Sequence, residues 1–197
     1  SGSTVGYYGY ENENYQPRSF NTRVGDLGEP DIILYCCITN DSWTGEKVGD
    51  FKYANWTEND MWYFRPAMAR LCSTIKQNYP MARIYFILNT ELKPEHAESM
   101  RIICKHYGLP LIELKDIEKQ HGHPSIKGHK AFAEQVIDFL KKDLKIDSKK
   151  EGKKDDKFES LVLNLALQKI DSDDFDYDGE AVYTADKKRL IYCMSNE

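Results

Sequence analysis

The chain has 197 residues, enough for one ordinary domain with a small annex but not for two full-sized domains. Hydrophobic residues make up 41% and charged residues 30%, which supports a sizeable core and excludes wholesale disorder. With 27 Lys and Arg against 32 Asp and Glu, the net charge of −5 argues against a general binder of nucleic acid or of anionic membranes. The apolar runs fall well short of the roughly 18 residues that a spanning helix needs, so no membrane span is expected. Five cysteines (Cys36, Cys37, Cys72, Cys104, Cys193) form no CxxC pair and no zinc-type spacing, so neither a disulfide framework nor a metal site is expected. The opening SGSTVG carries neither Met nor an apolar leader and reads as a processed or truncated terminus.

Residues 1–30, rich in Gly, Tyr, Asn and Ser, read as loop with a short helix near Phe20–Leu27. The run DIILYCCI (Asp31–Ile38), bounded by Pro30 and by TND, has the pattern of a strand covered on both faces. A turn-rich stretch with Trp43, Gly45 and Trp56 follows. A helix is predicted from Glu58 to about Tyr79, with Thr57 and Asp60 as its N-terminal cap and a break or kink at Pro66. ARIYFIL (Ala82–Leu88) predicts a second buried strand, and a helix follows from about Pro94 to Tyr107, stopped by Gly108. LPLIEL (Leu109–Leu114) predicts a third short strand, and a last amphipathic helix runs from about Ser125 to Leu140. This alternation of strand and helix predicts an α/β fold, a three-layer sandwich around a parallel sheet.

The composition then changes. Lys141–Lys157, with eight lysines against five acids, reads as a solvated linker after a domain of residues 1–140. Residues 158–197 read as a small β-rich segment: SLVLNLAL as a strand, IDSDDFDYDG as an acidic turn, and EAVYTADKKRLIYCM as a hairpin turning at Asp186–Lys187. Forty residues with so little core need a neighbour to pack on.

Three segments carry possible chemistry. SGSTVG (Ser1–Gly6) offers two glycines whose backbone N–H groups can approach a ligand closely, and a flexible terminus explains the same composition. ITND (Ile38–Asp41) lies at the carboxyl end of the first strand, where open α/β sheets bind ligands. Asn40 there can donate to a developing oxyanion, or it can simply open a turn. GHPSIKGHKAFAEQV places His123 just ahead of a helix, and an imidazole titrates close enough to neutrality to act as a general base. His121, His123 and His129 lack the spacing of a helical zinc pair.

In this order, the Gly-rich loop, the strand-end ND and the late GHP before an amphipathic helix resemble the SGNH hydrolases, or GDSL-like lipases and esterases. The resemblance covers roughly Ser1–Leu140. SGSTVG is similar to the family's second block, which implies that Gly2 donates to the oxyanion hole. PDIILYCCITND is similar to the third block, which implies that Asn40 completes that hole, and HPSIKGHKAFAEQV to the fifth, which implies that His123 is the general base. The first block, a strand ending in GDS with the nucleophilic serine, is not found in these 197 residues. Ile38 stands where the family has the Gly of GxND, and Gln120 where it has an Asp three residues before the His. Asp116 or Glu118 is left to orient His123, or a backbone carbonyl.

The resemblance implies a serine esterase without a cofactor. Tyr7, Tyr8, Trp43, Trp56 and Trp62 suit stacking on sugar rings as well as ordinary packing, so an acetylated carbohydrate is the expected substrate and a secreted, periplasmic or cell-surface location the favoured one. The competing reading is a glycan-binding or surface-interaction module on a degenerate scaffold. LVLNLALQKIDS faintly resembles a strand ending in DS, which would make Ser172 the nucleophile of a permuted enzyme. YDGEAVYTADKKRLIYC also resembles the hairpin units that flank bacterial surface leucine-rich repeats.

Overall fold

The computed structural model describes residues 3–144, 180–183 and 190–195. In chain order these form α1 (Phe20–Arg23), β1 (Ile32–Cys36), α2 (Thr39–Thr44), α3 (Phe64–Asn78), β2 (Arg83–Leu88), α4 (Pro94–Tyr107), β3 (Leu111–Glu113), β4 (Lys119–Gln120), β5 (His123–Pro124), α5 (Ile126–Asp143), β6 (Glu180–Tyr183) and β7 (Leu190–Ser195). Strands β3, β2 and β1 are parallel neighbours, with Ile33 opposite Ile84 and Phe86 opposite Leu111. Beyond β1 the sheet continues with β7, parallel to β1, and then β6, antiparallel to β7. The β6–β7 register centres on the expected turn at 186–187, and the turn itself lies outside the described residues. SLVLNLAL, the acidic run and Ser172 lie there too.

The period-2 geometry of a strand sorts the buried runs into two cores. Ile33 and Tyr35 of β1 and Ile84, Phe86 and Leu88 of β2 face α1, α3 and α4, which contribute Phe20, Phe64, Met68, Leu71, Ile75, Met100 and Ile103. Ile32 and Cys36 of β1, Tyr85 and Ile87 of β2, and Ile112 of β3 face the other way, onto Val136 and Leu140 of α5. The result is the expected three-layer α/β sandwich. Tyr35 anchors the larger core, stacked on Phe86 at 5.3 Å between centroids and edge-on to Phe20 at 5.6 Å.

Three local departures have physical causes. The helix expected from Glu58 is broken at Tyr63, whose extended backbone separates a capped 3-10 turn (Glu58–Trp62) from α3. Thr57 and Asp60 form the expected capping box, and Pro66 sits in the first turn of α3, where no intrahelical N–H is required. The stretch after β1 is a helix, α2, closed by Gly45 in the left-handed region, where the sequence suggests only turns. Finally, α5 runs on to Asp143, three residues past its expected end and into the lysine-rich stretch.

Candidate active site

The carboxyl end of β1, the central strand, runs directly into α2, so the polar residues of ITND occupy a helix at the carboxyl end of the sheet. Asn40, Asp41 and Ser42 are all buried there. The side-chain amide of Asn40 donates to the Ser3 carbonyl oxygen at 2.9 Å. Asp41 Oδ1 accepts from the Val5 amide at 2.8 Å. Two adjacent side chains of α2 thus hold the segment of residues 3–6 against the end of β1. Asn21 secures it from the other side, donating to the Val5 and Ala67 carbonyls at 2.8 and 2.9 Å. Gly6 is sterically required: a Cβ built on it would lie 2.4 Å from the Met61 carbonyl oxygen. Gly2 lies outside the described residues; its neighbour Ser3 is where the contact with Asn40 is made.

His123 sits on a small hairpin that the sequence does not announce. Strands β4 and β5 pair antiparallel, with Gln120 directly opposite His123. Between them His121 (φ 54°) and Gly122 (φ 86°) are both left-handed, as a two-residue type I′ turn requires. Lys119 Nζ fastens the hairpin to the end of β2 by donating to the Thr90 carbonyl at 2.7 Å. Ser125 then caps α5, accepting from the Gly128 amide at 3.1 Å, and Gly128 lets the helix approach the Glu118 backbone too closely for any Cβ.

The imidazole of His123 meets Trp43 of α2 edge-on, with 6.1 Å between centroids, and the same indole closes over Gly122. Residues 40 and 43 are neighbours on one face of a helix. Trp43 therefore brings Asn40 and His123 to the same end of the sheet. Among the described residues the His123 ring makes no hydrogen bond. Of the two carboxylates left to orient it, Glu118 is engaged elsewhere: it accepts from Ser125 Oγ at 2.5 Å and pairs with Lys127 at 3.3 Å, and these contacts hold its carboxyl below the usual range. Asp116 lies in the loop before β4 with a left-handed backbone (φ 52°).

The aromatic residues divide by position. Trp43 is 38% exposed beside His123. Tyr7 and Trp62 instead pack on each other at 6.5 Å, and Trp56 is fixed by an Nε1 bond to the Lys52 carbonyl. Two groups had no sequence signal. Glu46, which a charge count places at the surface, is buried against Asp41, and Asn89 at the end of β2 is buried and donates to Thr39 Oγ1 at 3.4 Å. Among the described residues no helix is long and apolar enough to cross a membrane, and no group of three or more His, Cys, Asp or Glu side chains is placed to hold a metal ion.

Residues 1–140 match the GDSL-like Lipase/Acylhydrolase family model. A GDSL-like lipase of Bacteroides ovatus is 49% identical, with a TM-score of 0.71 over 72% of this chain and 69% of that one. A GDSL-like lipase of Bacteroides uniformis gives the same identity and TM-score, over 72% of this chain and 67% of its own. A protein of Lactobacillus plantarum shares the fold at 18% identity and a TM-score of 0.57, over 72% of this chain and 78% of that one. No curated protein matches the chain. The family match ends at residue 140, and none of these similarities supports the likeness of the tail to repeat-flanking hairpins. An ordered set of weak motifs, a three-layer fold and close relatives agree: the chain belongs to the GDSL-like lipase/acylhydrolase family, the SGNH hydrolases.

Proposed function

We propose that residues 1–140 are the base and oxyanion-hole part of a serine esterase acting on acylated, most simply acetylated, carbohydrates. Residues 141–157 would link it to the β-rich segment 158–197, whose β7 and β6 extend the domain's own sheet beyond β1. The observation that carries this reading is the contact of His123 with Trp43, one helical turn from Asn40.

In this scheme a serine supplied by a strand ending in GDS, outside these 197 residues, attacks the ester carbonyl. His123 takes its proton as the new C–O bond forms. The carbonyl oxygen gains the negative charge, which the amide of Asn40 and the backbone N–H of Gly2 stabilise. An amide nitrogen carries two donors, and the bond to Ser3 fixes the orientation of this one. Collapse of the intermediate breaks the bond to the sugar oxygen, which leaves with the proton from His123. Water then attacks the acyl-enzyme, again with His123 as base, and releases the carboxylic acid. The half-exposed indole of Trp43 offers an apolar face for the sugar ring beside the reacting ester.

The test uses the protein with its serine-bearing strand present. Removing one oxyanion donor costs about 10²- to 10³-fold in turnover. Losing the base costs at least about 10²-fold. Asn40→Ala and His123→Ala should each cut hydrolysis of p-nitrophenyl acetate by these factors, whereas Trp43→Ala should raise KM for an acetylated oligosaccharide more than for the aryl ester. Full activity in either of the first two variants refutes the role given to that residue. Glycan binding without turnover or fluorophosphonate labelling would instead identify a binding module, the reading that Gln120 opposite His123 favours.

A further inference from the structure

Beneath residues 3–6 lie two carboxyl groups that no step of the proposed reaction uses. Asp41 is fully buried and Glu46 is 2% exposed. One oxygen of Asp41 accepts from the Val5 amide. Among the described residues, its Oδ2 and both oxygens of Glu46 are buried without a donor. Two ionised carboxylates cannot be left facing one another in a buried site, because each would carry an uncompensated charge. One proton shared between them resolves both problems: it supplies the missing donor and leaves a single charge. Burial raises both groups. Asp41 is the better anion, since the backbone N–H groups of Val5 and Gly6 bond to it, while its charge and its hydrogen bond raise Glu46 further. Glu46 is therefore the acid.

We propose that Asp41 and Glu46 act as one singly protonated unit that positions the Ser3–Gly6 segment, and through it the donors of the oxyanion hole. Asp41 is a positioning residue and Glu46 holds its proton. The link to the oxyanion hole rests on the function proposed above, whereas the clamp itself does not. Gly6 is part of the device, because a Cβ there would come within 3.2 Å of Glu46 Oε1. The backbones of Val5 and Gly6 face the pair from the segment itself, and the Met61 carbonyl and Ala67 crowd Gly6. The thiol of Cys37, at the end of β1, is raised first by burial and then by the charge of Asp41. Among the described residues no cation is among the groups that shift either carboxyl.

The unit holds while the proton is present. As the pH rises and Glu46 loses it, two anions face each other and the segment is released. Two measurements separate the clamp from the reaction. In this chain, the protection factor of the Val5 amide should fall at least about tenfold across that titration, the change that one unit of linkage produces. In Glu46→Gln, whose amide donates without titrating, the fall should disappear, together with an infrared band of a protonated carboxyl. The same alkaline profile in both proteins, or a band that survives the substitution, overturns the clamp. In the enzyme carrying its serine, kcat should show an alkaline fall at constant KM, and Glu46→Gln should remove it. If the amide responds and kcat does not, the clamp stands and the oxyanion role given to this segment falls.

Discussion

His96 gives a stability prediction independent of any catalytic reading. Its side chain is fully buried on α4, tilted against Phe64 at 4.8 Å between centroids, and among the described residues both ring nitrogens lack a partner. Burial lowers the imidazole to about 4; Glu95 opposes this, and the charges of Lys93 and Arg65 add to it. In the unfolded chain the ring titrates at about 6.5, so acid protonates the unfolded state first. The contribution is intact above that value and is lost as the pH falls through 6 towards 4. For the two ionisation midpoints given, linkage predicts a loss of about 2 kcal/mol between about pH 8 and pH 5. His96→Leu keeps the volume and removes two orphaned polar atoms, whose burial costs about 1–3 kcal/mol. The variant should therefore be the more stable at neutral pH, and its advantage should widen by about 2 kcal/mol on going to about pH 5. Urea unfolding followed by tryptophan fluorescence at both pH values measures this. Two curves that shift in parallel would show that His96 is protonated in the native state or solvated, and would refute the argument.

Two further outcomes are expected. Gly6→Ala places its methyl against the Met61 carbonyl, a backbone atom that cannot swing aside, and should destabilise the domain by about 1–3 kcal/mol, the usual range for overpacking; an unchanged melting temperature would mean that the segment is not seated as described. Gln120→Asp puts a carboxylate opposite His123 across the β4–β5 pair, where it stabilises the imidazolium, so the acidic limb of the rate profile should move to higher pH. A limb that stays put would show that another group already serves the ring.

The fold was legible where one signal dominated. DIILYCCI and ARIYFIL are too apolar for any place but a covered strand, and Pro94 and Gly108 bound α4 as expected. What was not legible depends on partners distant in sequence. The β4–β5 hairpin has two residues per strand, too few to show alternation, and its turn is His-Gly, whose first residue is not a usual turn former. Helix α2 reads as turn because Thr, Asn, Asp and Ser favour local hydrogen bonds over helix, and here tertiary contacts override that preference. Glu46 is the plainest case. Nothing in its neighbourhood marks it for burial, since the reason is Asp41 and the absent side chain of Gly6.

The four residues after Thr39 show how a short helix can organise a site. Asn40 bonds the Ser3 carbonyl and Asp41 the Val5 amide, Ser42 Oγ accepts from the Lys93 amide at 2.7 Å, and Trp43 meets His123. Four consecutive side chains thus grip three segments: the first two hold residues 3–6, the third the start of α4, the fourth His123. Most of these grips are made by buried side chains on backbone groups, so the geometry is set during folding and not when substrate arrives. Under the role proposed for Asn40, that is the condition under which an oxyanion donor is effective, because reorganisation at the moment of reaction would cost much of what the donor contributes. It follows that substitutions within 40–43 should not act independently. A change that shifts α2 moves Asn40 relative to His123, so double variants in this helix should deviate from additivity, as residues in one network do.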